Sequence, residues 1–262
     1  MKINREAKLA ELERIFESCG SPFSQEEEAR RWLQNYKNSR PLFKLYDFEK
    51  IQFSKSLQPF EKELLTFSDD ERAKFYSFVF KKTRYYEVAH VAINYFKRQQ
   101  RKSKPELIKY WPLLKGWITR IDNWAHADMI ASLYCEMQTE APEMVTPTLE
   151  EWGQSSKPWR ARMAIVSLLY YYNPKRHRPR AELIEEILLR HLYQDHYYLQ
   201  KAIGWCLREY SKAYPSRYSK LMNKIVLKLS STAFTTSVEK CERPQKEKWK
   251  ALRKESRVKA RS

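Results

Sequence analysis

The sequence predicts an all-α fold, on the basis of its composition and its periodicity. It has only 4 Gly among 262 residues and is rich in Leu, Ala, Glu, Lys and Arg, which favours helices over turn-rich sheets. Apolar residues recur at helical spacing in nearly every segment, and no stretch alternates convincingly with the period of a strand. No run of about 18 apolar residues occurs, and the first residues lack the apolar core of a secretory signal. We therefore expect a soluble, cytoplasmic protein.

Start and stop signals divide the chain into helix-sized segments. Capping boxes predict helix starts at Ser24-x-x-Glu27, Ser68-x-x-Glu71 and Thr148-x-x-Glu151. A further helix is expected to begin at Pro158 and to run to about Tyr172. The turn signals are Ser21-Pro22, Arg40-Pro41, Lys104-Pro105, the run from Glu140 to Pro147, Asn173-Pro174 and Tyr214-Pro215.

Many helices of similar length with short links predict stacked helix pairs, a HEAT-like helical-repeat α-solenoid. Because no sharp repeat is visible, any repeat is degenerate, and an irregular bundle is the alternative. Residues 1–238 are predicted to form one such domain. A solenoid would offer a concave, positively charged face that suits a rod-like partner such as duplex DNA.

The net charge of +18 is the first functional indication. Such a field attracts polyanions, meaning nucleic acid or an acidic membrane surface. Solubility alone needs a much smaller imbalance, so we favour nucleic acid.

The last segment, residues 239–262, differs from the rest because ten cations and four acids crowd it. We expect a mobile basic arm with a partial helix at most. It either adds non-specific DNA affinity or is a solvated terminus. The four cysteines lie far apart in sequence, which predicts reduced, buried thiols and no zinc cluster. They are Cys19, Cys135, Cys206 and Cys241.

The segment from Asp195 to Tyr214 is predicted to be a helix with one tryptophan off its buried stripe. The stripe consists of Leu199, Ala202, Ile203, Cys206, Leu207 and Tyr210. Trp205 lies on the far flank, and its helical neighbours there are Lys201, Arg208 and Lys212. An aromatic ring among cations is suited to gripping nucleic acid, with the cations on phosphates. The alternative is that Trp205 packs against the next helix pair. Gly204 in mid-helix indicates that something approaches closely there.

A second helix is predicted from Asp122 onward. Its apolar stripe consists of Trp124, Ala127, Ala131 and Cys135. Asp128 follows Trp124 by four residues, so the two side chains are neighbours. This aspartate is either a catalytic carboxylate or the partner of an arginine. His126 is expected to be structural.

In a third segment, which follows Pro158, Arg162 is suited to hold a phosphate or to orient a carboxylate through bidentate bonds. The alternative is a surface arginine near a helix start. We also expect Trp159 and Arg160, from the same segment, to contact DNA.

Together these segments resemble the AlkD-type DNA alkylation repair glycosylases, a HEAT-like repeat family. Its long signature is similar to Leu199-Gln-Lys-Ala-Ile-Gly-Trp-Cys-Leu-Arg-Glu-Tyr-Ser-Lys212, and Trp124-x-x-x-Asp128 and Trp159-x-x-Arg162 match two shorter motifs in the family's order. The segment ending at Phe234 resembles the family's closing stretch. The resemblance covers residues from about Ser24 to Glu239.

The resemblance implies excision of cationic N3- and N7-alkylated purines from duplex DNA, without flipping the lesion into a pocket. It makes Asp128 the catalytic carboxylate and places Trp124 and Trp205 beside the deoxyribose, with Arg162 securing the DNA backbone. No metal or organic cofactor is implied, and a monomer is expected. The rival hypotheses are a non-catalytic DNA-binding relative and a protein-binding HEAT scaffold. A membrane-surface protein is the more distant third.

Overall fold

Helices make up most of the chain, as the sequence predicts. A computed structural model describes residues 2–36 and 43–259. The chain divides into two compact units, Met1–Leu133 and Tyr134–Ser262. The predicted single domain over residues 1–238 stays a prediction. Arg40-Pro41, a predicted turn, lies outside the described residues.

The first unit contains the helices from α1 to most of α8. They are α1 (Arg5–Glu17), α2 (Gln25–Tyr36), α3 (Lys50–Leu64), α4 (Asp69–Lys82), α5 (Tyr86–Lys102), α6 (Lys104–Leu107), α7 (Trp111–Leu114) and α8 (Trp124–Glu140), with 3₁₀ turns at Ile108–Tyr110 and Lys115–Arg120. The division between the units falls inside α8. Two of the predicted helix starts are confirmed, because the Glu27 N–H donates to Ser24 Oγ at 3.2 Å and the Glu71 N–H to Ser68 Oγ at 3.3 Å.

Aromatic side chains fill the core of this unit. Phe80 and Trp117 stack with ring centroids 4.2 Å apart, and the Trp117 Nε1–H donates to Ser77 Oγ at 3.0 Å. Tyr76 and Tyr95 stack at the same centroid distance between α4 and α5. The indole N–H of the buried Trp117 thus has a hydrogen-bond partner, which offsets the cost of removing it from water.

A small antiparallel ribbon departs from the predicted absence of strands. It pairs β1 (Gly20–Pro22) with β2 (Tyr46–Phe48), so Ser21-Pro22 is part of a strand. A Cβ on Gly20 would lie 2.0 Å from the Asp47 carbonyl oxygen, so this backbone approach requires glycine. Three-residue strands are too short to give a period-2 signal.

The second unit contains the remaining helices. They are α9 (Pro142–Gly153), α10 (Pro158–Leu168), α11 (Ala181–Arg190), α12 (Tyr197–Ala213), α13 (Pro215–Ile225), α14 (Ser231–Ser237) and α15 (Arg243–Lys259). Helix α10 begins at Pro158 as predicted but ends four residues before Tyr172.

The third capping box is wrong. Thr148 lies inside α9, which begins at Pro142 and also contains Pro147. A proline at the first helical position lacks only an N–H that would have had no helical partner. The predicted turn from Glu140 to Pro147 therefore narrows to the single residue Ala141 between α8 and α9.

The C-terminal segment is also different from the expected mobile arm. Most of it forms α15, in which Trp249 is fully buried and Arg253 is 8% exposed. The Trp249 Nε1–H donates to Asn223 Oδ1 at 3.0 Å. The composition of the segment is dominated by cations and did not indicate that Trp249 and Arg253 are buried. These two residues attach the helix to the second unit.

The four cysteines are free thiols, and three of them are buried as predicted, whereas Cys241 is half-buried. Among the described residues, no helix is long and apolar enough to span a membrane.

Candidate functional site

The first turns of helix α8 carry the predicted catalytic pair, Trp124 and Asp128. Asn123 precedes the helix, and its Oδ1 accepts a hydrogen bond from the His126 N–H at 2.9 Å. Its carbonyl oxygen accepts the Ala127 N–H at 3.1 Å. Because Asn123 caps the helix in this way, Trp124 is its first residue, two positions after the predicted start at Asp122.

Trp124 presents part of its indole ring to solvent. It is 39% exposed, whereas the other members of its predicted stripe, Ala127, Ala131 and Cys135, are at most 5% exposed. Its Nε1–H donates to the Asn35 carbonyl oxygen at 3.1 Å, and its ring lies 6.0 Å from that of Tyr36. These contacts hold the indole in one orientation at the surface of the first unit.

Asp128 lies one helical turn after Trp124 and is half-buried. The spacing of four residues places the carboxylate and the indole on the same side of α8. A half-buried carboxylate interacts more strongly with a nearby positive charge than one in open water, because less solvent screens it. The pair can thus stabilise a cation and accept a proton.

His126 is structural, as predicted. Its ring is fully buried, stacks on Tyr86 at 4.4 Å and meets His90 edge-on. The Asn123 Nδ2 amide can only donate, so His126 Nδ1 accepts at 3.0 Å and Nε2–H donates to the Tyr86 carbonyl oxygen at 3.3 Å. Burial, with His90 nearby, holds the pKa of His126 well below its usual range. The imidazole is neutral and enclosed, so it has no access to a substrate.

In the second unit, Arg162 is buried rather than on the surface. It is 3% exposed, and its Nη1–H donates to the Tyr198 carbonyl oxygen at 2.5 Å. The alternative of a surface arginine is therefore wrong. The guanidinium connects α10 to the first turn of α12, and its expected contact with the DNA backbone stays a prediction.

Trp159 packs on the same end of α12. Its ring stacks on Tyr198 at 5.7 Å and meets His196 edge-on at 5.3 Å, and the side chain is half-buried. Burial, and the positive charge of Arg162, lower the pKa of His196. A neutral His196 is consistent with its role as the N-cap, where its Nδ1 accepts the Leu199 N–H. Arg160 is half-exposed on α10.

Helix α12 confirms the predicted stripe and the position of its tryptophan. The six residues of the stripe are at most 2% exposed, whereas Trp205 is half-buried on the flank. The Trp205 ring contacts Tyr170 at 5.3 Å and Tyr171 at 5.2 Å. The indole thus contacts the loop after α10. The alternative, in which Trp205 packs against the next helix pair, stays open.

The cations around Trp205 are only partly available for phosphates. Lys201 is exposed, but Arg208 Nε binds Glu209 at 3.1 Å and its Nη1 binds Glu239 at 2.6 Å. Lys212 Nζ also binds Glu209 at 2.6 Å, and this carboxylate is 1% exposed. Burial would lower the pKa of Arg208, but the two acids outweigh it and raise the pKa. Sequence spacing revealed the three cations but not their acidic partners.

The loop over residues 169–180 carries candidate residues that the sequence analysis missed. Tyr171 is 53% exposed beside Trp205, and the Tyr172 N–H donates to Glu209 Oε2 at 3.1 Å. Glu209 therefore anchors the loop as well as the two cations. The signal in the sequence was three consecutive tyrosines followed by Lys175, Arg176, His177 and Arg178. Aromatic residues next to a basic run are typical of nucleic-acid contacts.

The predicted site residues are thus divided between the two units. Trp124 and Asp128 lie together in the first; Trp159 and Arg162 meet the start of α12 in the second, where Trp205 forms its own cluster. Across the described ranges, no group of three or more His, Cys, Asp or Glu side chains is placed to hold a metal ion.

The sequence matches the DNA alkylation repair enzyme family over residues 60–241. The match ends close to the expected Glu239 but begins later than Ser24. None of the curated proteins matches the chain.

The solved structures that match this chain include three bacterial proteins. A predicted DNA alkylation repair enzyme from Enterococcus faecalis has a TM-score of 0.56 and 19% identity, covering 85% of this chain and 98% of that one. The smu.31 protein from Streptococcus mutans UA159 has a TM-score of 0.50 and 18% identity, covering 72% and 94%. AlkD2 from Streptococcus mutans has a TM-score of 0.49 and 16% identity, covering 83% and 99%.

The likeness to the Enterococcus faecalis protein confirms the predicted helical-repeat fold, since it spans nearly all of that protein. The family match spans well over half of the chain and contains each of the three motifs, Trp124-x-x-x-Asp128, Trp159-x-x-Arg162 and the Leu199–Lys212 signature. The chain therefore belongs to the DNA alkylation repair enzyme family.

Proposed function

We propose that this repair enzyme is a DNA glycosylase that excises cationic N3- and N7-alkylated purines, such as 3-methyladenine and 7-methylguanine, from duplex DNA. The observation that carries the proposal is the half-buried Asp128 one turn from the exposed indole of Trp124, within the family match. We further propose that the chain acts as a cytoplasmic monomer and leaves the lesion in the duplex.

Excision requires little acid catalysis by the protein at the alkylated purine. Alkylation at N3 or N7 gives the purine a positive charge, so the base is already a good leaving group. When the C1′–N bond breaks, its electron pair passes to the purine and neutralises that charge. The sugar loses these electrons and becomes an oxocarbenium-like cation.

Asp128 and Trp124 are suited to that sugar cation. The carboxylate stabilises it electrostatically, and the face of an indole ring attracts a cation in the same way. A water molecule then bonds to C1′, and its proton passes to the Asp128 carboxylate. One such prepositioned group contributes about 10² to 10³ in rate.

The aromatic cluster of the second unit offers a DNA contact. The exposed Tyr171 and the half-buried Trp205 present ring surface for a sugar or base, and the exposed Lys201 is suited to contact a phosphate. Arg208 and Lys212 contribute less, because Glu209 and Glu239 offset their charge.

The decisive experiment measures release of free alkylated purines from methylated duplex DNA under single-turnover conditions. Asp128→Asn is expected to lower the excision rate by about 10² to 10³ while DNA affinity stays within about threefold. The control is Asp47→Asn, the same change at an exposed aspartate of β2, and it should retain full activity.

Full activity in Asp128→Asn would remove this carboxylate from the mechanism. No release by any form, with tight DNA binding retained, would make the chain a non-catalytic DNA binder. Weak, salt-insensitive DNA binding would instead favour the protein-binding scaffold, because phosphate contacts give a steep dependence on salt.

A further inference from the structure

Helix α15 forms one wall of a basic groove on the second unit. The groove has a volume of about 520 Å³. Ser231, Phe234 and Thr235 of α14 line one side, and α15 supplies the other. Helix α14 lies within the family match, which ends at residue 241, whereas α15 begins at Arg243, after the match.

The helix is held in place by Trp249 and Arg253, the two buried residues of α15. Trp249 is fully buried, with its ring 5.8 Å from Tyr218. Arg253 Nη1–H donates to the carbonyl oxygens of Val226 and Leu229, the latter at 2.8 Å, and its guanidinium lies over the Phe234 ring at 4.6 Å. Side chains pointing into the groove are therefore carried by a fixed element.

The groove is strongly cationic. Lys250, Lys254 and Arg257 lie at spacings of four and three residues, so they project from the same side of α15 into it, together with Arg253. All three are exposed, and none of the residues lining the groove is acidic. Lys250 Nζ also binds Glu247, an exposed residue one turn earlier on α15, at 2.9 Å. Burial, and the neighbouring charge of Arg257, lower the pKa of Arg253. Like charges that face one cavity repel each other, and a bound anion would relieve this repulsion.

The geometry fits a repeating polyanion. A helix rises 1.5 Å per residue, which places successive cations about 4.5 to 6 Å apart along the groove. Arg257 Nη2–H already donates to Ser231 Oγ at 3.1 Å, which orients its guanidinium across the groove. A lipid surface fits less well, because an interfacial helix needs a continuous apolar face and α15 exposes only Leu252 and Val258 as large apolar residues.

We propose that the groove between α14 and α15 is a DNA-backbone binding site, in which Lys250, Lys254 and Arg257 contact phosphates without reading sequence. The proposal rests on DNA being the substrate of the family and not on the glycosylase chemistry of Asp128. Phosphate contacts of this kind release counterions, so each one steepens the dependence of affinity on salt. The site would hold the enzyme on undamaged duplex as well as on a lesion.

The test compares full-length variants for binding to a short undamaged duplex over a range of salt concentrations. The triple variant Lys250→Gln, Lys254→Gln and Arg257→Gln removes the groove cations. Its matched control, Lys220→Gln, Lys228→Gln and Lys248→Gln, removes three exposed charges of the same unit that do not line the groove. Thermal unfolding confirms that both variants are folded.

The groove variant is expected to bind about tenfold more weakly and to lower the slope of log affinity against log salt by about 1 per removed contact. The control should change the slope by less than one. Equal effects in both variants, or an unchanged slope in the groove variant, would overturn the proposal. Because the duplex is undamaged, a failure of base excision would not affect this result.

Discussion

Carboxylates of the first unit have very different surroundings, and these decide what each can do. Asp128 is half-buried at the surface of α8. Glu87 on α5 is also half-buried, and its Oε2 is a buried atom with no hydrogen-bond partner within the described residues. Burial raises the pKa of Glu87 to about 7 despite a backbone hydrogen bond, and the nearby Glu28 adds to the rise. The fold therefore disfavours the charged form.

Replacing Glu87 by Gln should stabilise the protein in a pH-dependent way. A carboxyl whose folded pKa is raised contributes its stability below the unfolded value of 4.5, and loses it as pH rises through about 7. Gln imitates the neutral form at every pH. We expect Glu87→Gln to have a higher free energy of unfolding by on the order of 1–3 kcal/mol at pH 8 and no difference near pH 4.

Urea unfolding at the two pH values checks this. Glu106→Gln, whose carboxyl is 69% exposed, serves as the control and should show no such change. His90, whose pKa burial lowers to about 4, acts in the opposite direction over the same range. Because His90 is present in every variant, its contribution cancels when the free energies of unfolding are compared, and the difference reports on Glu87 alone. A gain that is equal at both pH values would contradict the pKa explanation.

Helix packing explains the glycine that the sequence analysis singled out. The predicted close approach at Gly204 is confirmed, and the neighbour is α14. A Cβ there would lie 2.5 Å from the Ala233 carbonyl oxygen and 2.7 Å from Thr236 Cβ. The cost of glycine in α12 is thus offset by close contact between the two helices.

Gly204→Ala should therefore destabilise the protein, although Ala is the better helix former. Backbone atoms cannot move aside as a side chain can, and overpacking of this kind costs about 1–3 kcal/mol. Gly116→Ala is the control, because its Cβ would meet only the flexible end of Lys81. Chemical denaturation measures both, and a Gly204→Ala variant as stable as the original chain would contradict the packing argument.

Over the whole molecule, basic residues have several different uses. Arg162 and Arg253 are buried and bind backbone carbonyl oxygens, whereas Arg208 binds acids. Part of the 50 Lys and Arg side chains is therefore not available to a polyanion. Helix α15 belongs to the second unit.

The docking of α15 predicts a local response to mutation. Trp249→Ala removes a fully buried ring and should cost about 3–5 kcal/mol within the second unit. Hydrogen exchange is expected to accelerate in α13 and α14, whereas α4 and α5 in the first unit stay protected. Leu252→Ala, at a residue 40% exposed on the same helix, should change little. Unaltered exchange after Trp249→Ala would mean that α15 is a loose arm.

Local patterns in the sequence were sufficient for the helical class, the buried stripe of α12, two of three helix caps and the segments that carry the family's motifs. These follow from residue type and spacing along a few turns, which are properties of the chain itself. Asp128 and Trp124 were also found in this way, as neighbours on one helix.

Contacts between residues distant in sequence could not be found in the same way. Nothing near Arg208 in the sequence shows that Glu239 binds it, and nothing near Trp205 shows that Tyr171 lies against it. Composition likewise suggested a mobile arm where two buried residues dock a helix. Burial and partner choice depend on which segments meet in space, and packing of the whole chain sets them.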